Sequence, residues 1–121
     1  MASIMERINV LSELNLINDV DRLDLMSLIK IIETQLKIEV TEENGGILIT
    51  HVSAMFQRNK SGEQLEPLEK EIVLELQASV HYDSAIQVAE EIISVIENNV
   101  SEAEKGYLLL HLCTLVNSTS N

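Results

Sequence analysis

With 121 residues, 45% of them hydrophobic and only 2% aromatic, the chain is one domain's worth of aliphatic-rich polypeptide, long enough to fold without covalent staples. Its 20 acidic residues against 8 basic ones give a net charge of −12, a surface that repels nucleic acid, where affinity comes from neutralising phosphates. The basic residues Arg7, Arg22, Lys30, Lys37, Arg58, Lys60, Lys70 and Lys105 form no stripe, so direct DNA or RNA binding is not expected and a protein partner is the default.

The lone Cys113 fits a reducing compartment. The start MASIMERINVL puts charges ahead of any long apolar run and is not a secretory signal, and no stretch reaches the length of a membrane span. The expected location is the cytoplasm. A core built from Leu, Ile, Val, Met and Ala, with Tyr82, Tyr107 and Phe56 as its only aromatics, favours helices packed on helices.

Residues 3–16 carry Ile4, Ile8, Leu11 and Leu14 at three-to-four spacing, which predicts a short amphipathic helix. Asn18 and Asp19 offer caps for a second helix over 20–38, with Leu23, Met26, Ile29 and Leu36 among its apolar positions. TEENGG, residues 41–46, reads as a turn. A third helix over 46–60 then holds Ile47, Leu48, His51, Ala54, Met55 and Arg58 on one side.

NKSGEQLEP is the clearest loop, and Pro67 suits the first turn of a fourth helix over 67–78. A fifth helix over 82–98 buries Ala85, Val88, Ala89, Ile92 and Ile96. SEAE, residues 101–104, has the capping-box pattern, in which Ser101 takes the Glu104 amide and the Glu104 carboxylate reaches back. It opens the last helix, which contains the apolar run GYLLLHLCTLVN. The expected fold is all-α, a compact bundle of five helices plus a short N-terminal one.

His51 and His111 each sit mid-helix in apolar company, whereas His81 lies in the polar run SVHYD at a helix start. The bland reading of such a histidine is a packed or surface ring with one hydrogen bond. A zinc site needs three or four converging ligands, but no HExxH or CxxC occurs, and His51, His81, His111 and Cys113 are spread over three helices. There is no GxSxG turn or Gly-rich phosphate loop, and the cysteine sits in an apolar helix that disfavours its thiolate. No enzymatic activity, metal or cofactor is expected.

The two histidine segments do share a pattern. GGILITHVSAMFQR, followed with the two histidines 60 residues apart by EKGYLLLHLCTLV, resembles the signature segments of the PRD, the phosphotransferase-system regulation domain of bacterial transcriptional antiterminators and activators. His51, Val52 and Arg58 match the first segment; Glu104, Gly106, Tyr107, Leu108, His111 and Leu112 match the second. YDSAIQVAEEI resembles the intervening helix, and the likeness runs over residues 20–118, leaving 1–19 as an N-terminal helical extension.

The resemblance implies a helical domain, usually a homodimer, whose two histidines accept phosphoryl groups. The implied donors are the phosphorylated histidine-containing phosphocarrier protein (HPr) or an enzyme II component. On this reading His111 and His51 are phospho-acceptors, Arg58 neighbours the phosphate, and the output passes to a protein partner, a second copy or a larger PRD regulator. The rival reading is a phosphorylation-independent dimerisation or scaffold module that keeps only the fold. Three departures stand out: Thr50 where the family has Asp or Asn before the first histidine, SAMF where it has a small apolar run, and no expected effector domain. His81 matches no family position and is expected at the surface.

Overall fold

A computed structural model describes residues 3–119, leaving Met1 and Ala2 of the N-terminal extension, with Ser120 and Asn121, outside the described residues. It contains six helices and, among the described residues, no strand. They are α1 (Ile4–Glu13), α2 (Asp19–Leu36), α3 (Glu42–Ser61), α4 (Lys70–Ala78), α5 (Tyr82–Val95) and α6 (Glu102–Thr119). The all-α bundle expected from composition is therefore the observed one.

Each of the first three helices starts at a side-chain cap. Ser3 takes the Glu6 amide, and Asn18 and Asp21 cap each other's backbone across the first turn of α2. Thr41 and Asn44 make the same reciprocal pair, which corrects the reading of 41–46 as a turn. The TEENGG stretch is the first turn and a half of α3, and its two glycines are buried inside the helix. A Cβ on Gly45 would lie 2.5 Å from Val40 Cγ1, so the glycine admits the preceding chain rather than ending a helix. The true stop is Gly62, at φ 81 in the left-handed region that glycine occupies without penalty.

Pro67 does not begin α4; the helix starts at Lys70, and residues 63–69 run non-helically along α6. Two contacts hold this strap. Tyr107 Oη donates to the Glu66 carbonyl at 3.2 Å, and Leu68 packs over Gly106. Helix α5 likewise ends early, at Val95 rather than 98. Its continuation would forfeit two bonds, because the Asp24 carboxylate of α2 accepts the Glu97 and Asn98 amides at 2.9 Å each.

The core is aliphatic around one fully buried aromatic, Phe56. Helix α2 buries Leu25, Leu28, Ile29 and Ile32, whereas Leu23 is 62% exposed and Met26 also faces outward. Asp21 and Asp24 lie on the buried face, so the buried stripe of α2 does not follow from its apolar positions alone. Leu14 caps α1 and is exposed, and Ile47 on α3 is 70% exposed. Ile4 and Ile8 of α1 are buried in the same core as the other helices. Helix α6 runs antiparallel to α3, and the two form the walls of the site described next.

Candidate functional site

On α3, His51 and Arg58 are seven residues apart; on α6, Glu104 and His111 are seven apart. Seven residues is nearly two helical turns, so each pair projects from one face. Because the helices are antiparallel, the two faces meet as two rungs. The His51 and His111 rings stack with centroids 4.4 Å apart and planes 24° from parallel. Two turns away, Arg58 Nε and a terminal guanidinium nitrogen donate to the two Glu104 oxygens at 3.1 Å each, a bidentate fork.

Between the rungs lie Val52, Met55 and Leu108; with Tyr107, Leu110 and the strap residue Leu65 they line a cleft of about 380 Å³ that contains all four rung residues. His51 is exposed and His111 half-buried. Burial, and after it the adjoining His51 ring, lower His111 from its ordinary 6.5 to about 4. Its imidazole is therefore neutral at pH 7, the form with a lone pair to offer.

The structure brings together the three sequence-derived site residues, His51, His111 and Arg58, in this single cleft. It also adds one that sequence reasoning placed elsewhere. Glu104 was expected to close a capping box on Ser101, and half of that box exists, with the Glu104 amide donating to Ser101 Oγ at 3.1 Å. The carboxylate instead turns inward to Arg58 and is 3% exposed. The match of Glu104 to the second family segment and the equal intervals of seven were the available signals. Thr50 is tied to the N-terminal helix: Arg7 donates to its hydroxyl at 2.8 Å and also pairs with Glu42.

His81 lies outside the cleft, half-buried at the N-cap of α5 without a side-chain cap bond. Cys113 points into the core, and burial raises its thiol despite a hydrogen bond with Ser79. No helix among the described residues is long and apolar enough to cross a membrane.

Residues 26–114 match the family model of the PRD domain, and the chain belongs to that family. It is also 30% identical over 106 residues to YhfY of Escherichia coli strain K12, described as an uncharacterized protein, with 88% of each chain covered. No solved structure matches the chain.

Proposed function

We propose that this PRD domain is a phosphorylation-controlled regulator in which His111 and His51 accept a phosphoryl group from phosphorylated HPr or an enzyme II component. Arg58 is the neighbouring cation, and the output passes to a protein partner, a second copy of the chain or a larger PRD regulator, without direct nucleic-acid contact. On this reading residues 20–118 are the responding domain and 1–19 its N-terminal extension. The observation that carries this reading is the stacked His51–His111 pair, one ring exposed and one half-buried, in a cleft that also holds Arg58.

The chemistry follows from protonation. The lone pair of a neutral imidazole nitrogen attacks the donor's phosphorus; a new N–P bond forms and the donor N–P bond breaks, its electron pair returning to the donor ring. The acceptor ring releases its other N–H proton, and the donor ring recovers one. At pH 7 His111 is already in the attacking form. A phosphoryl group brings a charge of about −1.5 to −2 into a cleft lined by Val52, Met55, Leu65, Leu108 and Leu110, which favours repacking or a change of partner.

The test is to mix the protein with phosphoenolpyruvate, enzyme I and HPr, adding enzyme II components in turn, and to read intact mass before and after acid. One acid-labile phosphoryl adduct, reduced in His51→Ala or His111→Ala, is the expected result. Folded protein that takes no adduct from any donor would sink the proposal in favour of the constitutive scaffold.

A further inference from the structure

We infer that the Arg58–Glu104 fork is a latch between α3 and α6 that a phosphoryl group on the histidine rung opens, transferring Arg58 to the phosphate and Glu104 to its own helix cap. The inference rests on the phospho-acceptor reading above and adds to it the route by which the new charge reaches the fold.

The first argument is charge. Among the described residues lining the cleft, Arg58 is the one permanent cation, and its charge is already spent on Glu104. The other cations held in ion pairs are engaged elsewhere: Arg7 with Glu42, Lys60 with Asp21 and Lys105 with Glu90. The unmodified cleft is thus balanced, and a phosphoryl dianion enters it with no counter-ion waiting in a chain of net charge −12. Between one carboxylate and a group with about twice the charge and three acceptor oxygens, a guanidinium fork favours the phosphate.

The second argument is reach. The rungs are about 10 Å apart along the helix axis, and helical side chains lean toward the N-terminus. Arg58 therefore leans back along α3 toward His51, whereas Glu104 leans along α6 away from His111. All four groups line one continuous cleft, so no packed core stands between the two rungs.

The third argument is what Glu104 does when released. A carboxylate that is 3% exposed cannot remain there without its cation. Ser101 already holds the Glu104 amide, and the SEAE pattern provides the missing half: the freed carboxylate turns outward to the Ser101 N–H and completes the capping box. Glu104 thus has two built-in seats, one across to α3 and one on its own helix start. The histidine rung decides between them.

The test is NMR on the full chain, with and without the phosphoryl adduct, following the Arg58 Nε–H signal and the Ser101 amide. The adduct is made with phosphorylated HPr, an enzyme II component or the small donor phosphoramidate, whose P–N bond breaks with loss of ammonia. In wild type, the adduct is expected to move the Arg58 signal and to slow Ser101 amide exchange about fivefold, the size of one capping interaction. Unmodified Glu104→Gln, whose side chain suits the cap but lacks the charge for the fork, should already show the slowed Ser101 amide. An adduct that leaves both signals unmoved overturns the latch while the phospho-acceptor reading stands. Absence of an adduct from every donor overturns both. Should Glu104→Gln fail to fold, the wild-type comparison decides alone.

Discussion

His111 is the residue whose surroundings most alter its chemistry. Burial first, then the adjacent His51 ring, place its titration at about 4. NMR titration should find that midpoint, and it should rise in His51→Ala; a midpoint near 6.5 in wild type would contradict the packing described. The fork two turns away makes a second prediction. Arg58→Met strips the buried Glu104 of its cation and should cost up to about 3–5 kcal/mol, lessened by about 1 kcal/mol where the carboxylate turns out to the Ser101 cap, whereas Arg58→Met combined with Glu104→Leu should recover most of it. Denaturant melts of the single and double variants measure both numbers, and equal losses in the two would mean that the fork contributes shape rather than charge.

At the scale of the element, helix starts and glycines carry the information. Gly45→Ala should destabilise by about 1–3 kcal/mol through overpacking against Val40, outweighing a gain of about 1 kcal/mol in helix propensity. At the exposed end of the same helix, Gly62→Ala should cost about 1 kcal/mol because its φ is 81. Urea midpoints separate the two cases. Periodicity made the six helices and their order legible before any coordinates. What it could not supply was everything set by a distant partner. Pro67 is non-helical because Tyr107 and Leu68 hold the strap, and α5 stops because Asp24 waits 73 residues back in the chain. The histidine pair was readable only through the family pattern, since a 60-residue separation carries no local signal.

Across the whole molecule, one buried polar cluster joins two helices, α2 and α3, to the α5–α6 turn. Asp21 is fully buried and accepts from Asn18, Gln57, Lys60 and Asn98; Asp24 accepts from Glu97 and Asn98. Burial pushes the Asp21 carboxyl up, but the hydrogen bonds from Lys60, Asn18 and Asn98 and the Lys60 charge together bring it below its ordinary 3.8. His111 is also depressed. For both groups the unfolded chain binds the proton more readily, so stability rises with pH through their windows. Thermal melts should lose stability first as pH falls from 6.5 toward 4, through His111, and again below 3.8, through Asp21. Replacing His111 by Ala should remove the first step and leave the second. Asp24→Ala, which orphans the α5–α6 turn, should cost at least about 3 kcal/mol in a denaturant melt.

The two rungs also impose an arithmetic on the chain. Both intervals, His51 to Arg58 and Glu104 to His111, are seven residues, and the rungs exist because those intervals are equal on opposed helices. One residue inserted between His51 and Arg58 would turn everything beyond it by about 100° and advance it by about 1.5 Å. Arg58 would then face away from Glu104 while the histidines stayed stacked. These two intervals are phase-locked to each other. A chain that has gained or lost a residue within either one can keep both histidines, yet it has lost the means by which one rung answers the other.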